Sequence, residues 1–236
     1  ELFEHLPQHW GARGEPWPHA CVGSSVRRST DRGETWESPA WVDGVPGLPP
    51  LVEGWHAPMA MRGWPAQLQD DSLALPLYAL GNGCMMARSE DGGRNWKYHA
   101  HVVHCAEDRP KAYDEWCVHQ TPCGDLVALI RSDNPPEQGG GWLHMARSSD
   151  GGATWSPPKQ HDVWGHPHHA LTMPSGRVLL SYGHRREPLG NQARVSEDGG
   201  RTWSEAMILS GDGITHDLGY PSTAQLDDGS LLTVWY

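Results

Sequence analysis

Ser148-Ser149-Asp150-Gly151-Gly152-Ala153-Thr154-Trp155 is one of four closely similar octets in this chain. The others are Ser29-Thr30-Asp31-Arg32-Gly33-Glu34-Thr35-Trp36, Ser89-Glu90-Asp91-Gly92-Gly93-Arg94-Asn95-Trp96 and Ser196-Glu197-Asp198-Gly199-Gly200-Arg201-Thr202-Trp203. All four fit S-x-D-x-G-x-[TN]-W. A carboxylate there can accept backbone N–H bonds inside a tight turn. The glycine supplies a conformation that costs energy for a residue with a Cβ, and the tryptophan can cover the turn from the strand that follows. Each octet therefore reads as a hairpin with its own staple. One D-G-G alone would be an ordinary turn.

The aspartates are spaced 60, 59 and 48 residues apart, which is room for four short strands with loops and too little for separate domains. After the third octet, His168 to Met173 reads as a strand, Pro174-Ser175-Gly176 as a turn and Arg177 to Tyr182 as a second strand. Asn191 to Ser196 then leads into the fourth octet. The preceding unit repeats the order with Trp116 to Thr121, Leu126 to Arg131 and Trp142 to Arg147. The unit before that uses Pro58 to Leu68 and Leu73 to Leu80. Val22 to Arg28 with the residues around Trp41 supply the last two strands of a first unit, and Tyr220 to Leu226 with Ser230 to Tyr236 the first two of a last one. The expectation is an all-β, single-domain β-propeller over residues 1–236, built of four-stranded antiparallel blades. About four blades' worth of chain is present, as three full blades between two halves. The halves could close a four-bladed ring, but the expected parent is six-bladed, with seven as the alternative and with residues missing at one or both ends.

Composition agrees with a turn-rich β fold. Gly 28 and Pro 20 make up about a fifth of the chain, and Trp reaches 13 where Phe is 1. The formal charge of -11 disfavours nucleic acid and anionic membranes as partners, although a few clustered arginines can reverse the sign inside a cleft. The five cysteines, Cys21, Cys84, Cys105, Cys117 and Cys123, have no repeated CxxC spacing, so no structural zinc and no dense disulfide framework is expected. A pair among Cys105, Cys117 and Cys123 is left open. No basic-apolar leader, no membrane-length apolar run and no N-x-S/T sequon is present, so the residues shown assign no compartment.

The octets, together with Gly165-His166-Pro167-His168-His169, Ser181-Tyr182-Gly183-His184-Arg185 and Asp217-Leu218-Gly219-Tyr220-Pro221, resemble the sialidase superfamily, whose repeats are known as BNR or Asp-box repeats. The resemblance covers nearly the whole chain. It implies the propeller fold and chemistry on glycans. Sialidases use a tyrosine paired with a glutamate, an aspartate acid/base and three arginines on a sugar carboxylate. Related propellers include rhamnosidases, polysaccharide lyases and proteins that only bind. The early strand that usually carries the first arginine and the catalytic aspartate is not recognisable here.

Because strands alternate in direction, the octets and the strand one to two turns share one face, while the longer loops share the other. That second face collects His56, Glu115, His166, His168, Asp217 and Tyr220 from strand-one starts, and Arg131, Asp133, Tyr182, His184, Arg185 and Arg186 from strand-two ends. Arg131 and Arg185 suit the bidentate grip of a sugar carboxylate or, equally, a bridge between blades. Asp217 and Glu115 suit acid, base or nucleophile-activating work, or pairing with those arginines. The resemblance suggests that Tyr220 is the nucleophilic phenol, though it could merely pack under the rim. His168 suits acid/base work, and His56, His184 and Asp133 suit substrate contact. Most of Trp55, Trp64, Trp116, Trp142 and Trp164 should pack between blades, with one or two free to stack on a sugar. No cofactor or metal is expected. The leading reading is an exo-acting glycoside hydrolase on a terminal acidic or deoxy sugar. A uronate lyase and a non-catalytic glycan-binding propeller are the alternatives.

Overall fold

Each octet closes on itself by hydrogen bonds in the computed structural model, which describes residues 23–49, 59–79, 81–106, 112–132 and 140–236. In the third copy, Ser148 Oγ donates to Asp150 Oδ1 at 2.7 Å and accepts from Gly152 N at 2.8 Å. Asp150 accepts Thr154 N at 2.9 Å and Thr154 Oγ1 at 2.5 Å, and Trp155 Nε1 donates to Gly152 O at 2.9 Å. The serine is a relay between carboxylate and backbone, a role its mere presence before the aspartate did not suggest. The same bonds recur at Asp31, Asp91 and Asp198. Trp203 Nε1 of the fourth copy is the exception, buried without a hydrogen-bond partner. Each turn needs two consecutive residues at positive φ. Gly151 and Gly152 provide 71° and 89°, whereas the first copy holds Arg32 at 61° ahead of Gly33.

The turns join third to fourth strands throughout. β1 (Ser25–Val26) and β2 (Ala40–Asp43) form the first half unit. β3 (Ala66–Gln67), β4 (Leu73–Ala79), β5 (Gly83–Ser89) and β6 (Trp96–Val103) form the first full one. β7 (Tyr113–Gln120), β8 (Leu126–Ser132), β9 (Trp142–Ser148) and β10 (Lys159–Trp164) make the second. β11 (His168–Thr172), β12 (Val178–His184), β13 (Gly190–Ser196) and β14 (Met207–Ser210) make the third. β15 (Ser222–Gln225) and β16 (Leu231–Val234) remain as a pair.

The architecture is all-β, with sheets of up to six strands whose order is consistent with an incomplete propeller. Two expectations are corrected. The first half unit is not separate: β2 pairs in parallel with β6 through Val42↔Trp96 and Asp43↔Lys97, giving one six-stranded sheet. Both are outer strands with a free edge, and pairing satisfies it. The strand expected over 58–68 shrinks to β3 and an isolated bridge, Ala60↔Tyr78; Pro58 and Leu80 lie outside the described residues.

Between sheets, the cores follow strand alternation. From β8, Leu126, Ala128 and Ile130 pack toward the β4–β6 side, while Val127 and Leu129 pack with Leu180 and Tyr182 of β12. β5 splits likewise, with Cys84 and Met86 on one face and Met85 and Ala87 on the other. A strand buried on both faces loses polar alternation, which explains the continuous apolar runs of β4, β5 and β8. Trp116 ties two blades, donating from Nε1 to Leu77 O at 2.8 Å. Cys84, Cys105, Cys117 and Cys123 are all free thiols, so the pair left open among the last three does not form. Cys117 is buried in the core while Cys123 is exposed on a turn, which keeps them apart.

Candidate active site

The stapled turns gather at one end of the sheets. Arg88 of β5 donates to Gly151 O at 3.3 Å, Arg147 of β9 donates to Gly199 O at 2.7 Å, and Gly199 lies against Thr121 in the β7–β8 turn of the preceding unit. At the opposite end, starts of first strands meet ends of second strands. A bulge lies between Tyr113 and Trp116 in the β7–β8 ladder, and Asp114 and Glu115 sit in it. Bulges re-aim side chains, and this one turns two carboxylates toward the end of β8. Glu115 is 6% exposed, and its Oε2 accepts from Arg131 Nη1 at 2.6 Å. Asp114 Oδ1 lies 3.6 Å from Arg131 Nε.

Tyr220 reaches the same carboxylate from 105 residues away, donating Oη to Glu115 Oε1 at 2.5 Å. Its backbone is left-handed, at φ 52°. For a bulky residue that conformation costs on the order of 1–3 kcal/mol, so the surroundings must hold it. Gly219 N and O exchange hydrogen bonds with Tyr236, at 3.0 and 3.2 Å. A Cβ on Gly219 would stand 3.0 Å from Gly183 Cα, and one on Gly183 would stand 2.7 Å from His166 O. Only two glycines allow this close crossing. Burial raises the Tyr220 phenol above its ordinary pKa, and its bond to Glu115 and that carboxylate's charge raise it further. Tyr78 is pushed up by burial, then by Glu115 and Asp114.

Arg62 was not among the residues expected at the site. It is buried, donating from Nη1 to His168 O at 2.6 Å and from Nη2 to Pro221 O at 2.9 Å, with its guanidinium 5.8 Å from the Tyr220 ring centre. It thus clamps β11 to the residue after the tyrosine. His168 contributes that carbonyl, while its ring is 1% exposed with neither nitrogen hydrogen-bonded; burial holds its pKa well below the usual imidazole range. His166, 9% exposed, is lowered to about 3 by burial and then by the charges of Arg131 and Arg185. Both rings are neutral at ordinary pH.

Asp217 is exposed and accepts from Tyr236 Oη at 3.3 Å, and Tyr236 stacks on Tyr220 with ring centres 5.4 Å apart. Arg185 Nε donates to Leu218 O at 3.2 Å. His184 lies farther along the rim, its ring 5.7 Å from Trp164. Thus Tyr220, Glu115 and Arg131 touch directly, His168 joins through Arg62, and Asp217 and Arg185 flank the tyrosine segment. His56 and Asp133 lie outside the described residues. Arg62, Asp114, Tyr78 and Tyr236 went unread in the sequence. A signal for Arg62 exists: Asp71, Gly124 and Gly229 are left-handed turn residues, each nine residues after Arg62, Glu115 and Tyr220 respectively. The same phase that carries the other two selects the arginine. Among the described residues no group of three or more His, Cys, Asp or Glu is arranged to hold a metal ion, and no helix is long and apolar enough to cross a membrane.

The family model for the BNR repeat-like domain matches residues 12–233. A crystal structure of a protein of unknown function from Dyadobacter fermentans is 32% identical with a TM-score of 0.79, over 99% of this chain and 64% of that one. The NanB sialidase from Streptococcus pneumoniae is 20% identical with a TM-score of 0.67, over 89% of this chain and 32% of that one. The intramolecular trans-sialidase from Ruminococcus gnavus is 18% identical with a TM-score of 0.62, over 89% of this chain and 45% of that one. At the identities of these two enzymes the likeness is one of fold. No curated protein sequence matches significantly. The match over almost the whole chain shows that this chain belongs to the BNR repeat-like domain family, and it shares its all-β frame with these sialidase structures.

Proposed function

We propose that this chain carries the larger part of an exo-acting glycoside hydrolase site for a terminal acidic or deoxy sugar. The observation behind it is the 2.5 Å hydrogen bond from Tyr220 Oη to Glu115 Oε1, with Arg131 holding the other carboxylate oxygen. A phenol whose pKa is raised stays protonated at neutral pH and needs a base to attack. Glu115 is that base. As Tyr220 Oη bonds to the anomeric carbon its proton passes to Glu115, and the leaving oxygen takes a proton from the Asp217 carboxyl. Water then attacks the glycosyl-tyrosine bond and gives its proton to Asp217, while the departing phenolate recovers its own from Glu115. A neutral nucleophile also suits an anionic ring, which a carboxylate nucleophile would repel.

Arg185, and Arg62 through its field, supply positive potential beside Tyr220. His168 is a neutral, buried support in this reading rather than a proton carrier. His184, His56 and Asp133 are assigned to the substrate rim. The single-domain reading with a six-bladed parent is kept as part of this proposal; the chain spans 64% of the Dyadobacter structure.

Incubating the full-length protein with glycans capped by sialic acid, rhamnose or a uronate should release a monosaccharide. A 2-fluoro sugar of the reactive class should leave its mass on the peptide holding Tyr220. Release of an unsaturated uronate, seen by ultraviolet absorbance, would instead mean elimination. Saturable binding without product would mean a binding propeller.

A further inference from the structure

Beside the Tyr220–Glu115 pair, the rim carries a second cluster to which the hydrolytic reading gives no task. Arg186 is exposed, with its guanidinium 3.8 Å from the Trp164 ring centre and 5.9 Å from that of Trp142. The Trp164 indole is itself fixed, because Nε1 donates to Gly140 O at 2.7 Å. Gly141, at φ 79°, makes the arrangement possible: a Cβ there would stand 3.0 Å from the Trp164 ring and 3.1 Å from His166 Nδ1. Trp164 meets His166 edge-on at 6.1 Å, and His166 N donates to Gly183 O at 2.8 Å, where Gly183 crosses Gly219 beside Tyr220. The cluster is therefore continuous with the candidate active site.

Two features point to a ligand. Trp142 Nε1 and His166 Nδ1 are buried and have no hydrogen-bond partner, an uncommon state for such groups. Among the described residues no carboxylate or carbonyl accepts a hydrogen bond from Arg186, whose guanidinium faces the two indoles. A guanidinium lying on an indole keeps its N–H edge free and gives up little freedom when that edge is used. In a chain of charge -11 such a site is a local reversal of sign.

We propose that Arg186, held on Trp164 with Trp142 beside it, binds an anionic substituent, carboxylate or sulfate, on the sugar next to the one held by Tyr220 and Glu115. This rests on reading the site as sugar-binding, and it adds that the preferred glycan is charged at the adjoining residue as well. The planar fork matches the two oxygens of either group, and the indole beside it offers a flat face to the sugar ring.

The test is a tryptophan-fluorescence titration of the full-length protein with glucuronyl-glucose, neutral at its reducing-end sugar, and with the same disaccharide carrying a carboxylate or a sulfate at C6 of that sugar. The forms charged at the reducing end should bind about tenfold more tightly than the one neutral there, as expected for one charge-assisted bidentate contact. The carboxylate and sulfate arms show which anion is preferred. Arg186→Gln should abolish the difference while keeping the affinity for the disaccharide neutral at its reducing end, and Arg186→Lys should restore only part of it. Equal affinity for forms charged and neutral at the reducing end, a preference that survives Arg186→Gln, or no binding of any form would overturn the proposal. Because binding is read without turnover, a retained preference with no hydrolysis of any glycan would overturn the hydrolase reading alone. Hydrolysis with no preference would overturn this one alone.

Discussion

Asp150 and Glu115 are both carboxylates held by two or more donors, yet their partners differ in kind. Asp150 takes its bonds from Ser148 and Thr154, within four residues, on an exposed turn. Glu115 takes its bonds from Arg131 and Tyr220, 16 and 105 residues away, in a buried bulge. The first arrangement closes a hairpin and leaves no donor over. The second joins two blades and leaves a phenol beside a base. The difference lies in where the donors come from: local donors make a structural staple, while remote ones bring a phenol and a carboxylate of two distant segments together.

The comparison breaks most visibly at Tyr220. Tyr220→Phe should cut kcat on a released-sugar substrate by about a thousandfold, within the range for losing a nucleophile or its proton partner, with circular dichroism unchanged. If turnover persists, the remote pair is structural after all. Glu115→Gln should also remove activity and, by replacing the close ion pair to Arg131 with a neutral contact and leaving only the longer one to Asp114, destabilise the fold by about 2 kcal/mol in urea unfolding. Arg62→Met removes two buried donors but keeps volume. It should cost about 2 kcal/mol and lower kcat without raising KM in proportion, since it positions the tyrosine rather than touching sugar.

Acid separates buried rings from exposed turn carboxylates. His166 at about 3, His169 at about 4 and His119 at about 4 are all depressed by burial, so the unfolded chain binds protons that the folded one refuses. Their contribution is intact above the ordinary imidazole value near 6.5 and is lost as pH falls toward 4, at no more than about 1.4 kcal/mol per pH unit per ring. The turn aspartates are depressed by donors instead, first the side chain four residues on and then its backbone N–H at Asp91 and Asp150, and Asp31 is held at about 2 in the same way. Their contribution is present above the ordinary aspartate value and is lost only as pH falls through the lower folded one. Urea midpoints should therefore decline in two stages, with the histidine stage first. A single decline confined below pH 4 would contradict the buried, neutral rings. The smallest effect belongs to the first turn: Trp36 is 58% exposed against 4% for Trp96, so Trp36→Ala should cost under about 1 kcal/mol where Trp96→Ala costs about 3.

The four turns, the strand order and the two-ended layout were legible, because each rests on a repeated local pattern. Tyr220, Glu115 and Arg131 were legible as site candidates from their places at strand-one starts and strand-two ends, but nothing in their spacing said that they touch. Arg62 was readable by repeat phase and escaped because its strand is degraded to two residues and a bridge. His168 looked like an open acid/base group, yet at the first position of β11 its ring is buried in the packing between blades. The merging of β2 with β6 had no local signature, since parallel pairing of two residues leaves no pattern in either segment.

Residue order alone settles the stapled hairpins, since every donor and acceptor in them lies within one short turn and no distant contact is needed to satisfy it. The chemistry at the other end had to wait for the folded molecule. A bulge, a left-handed tyrosine and a glycine–glycine crossing are each unfavourable or neutral by themselves, and only the packing of three successive units holds Tyr220 Oη 2.5 Å from Glu115.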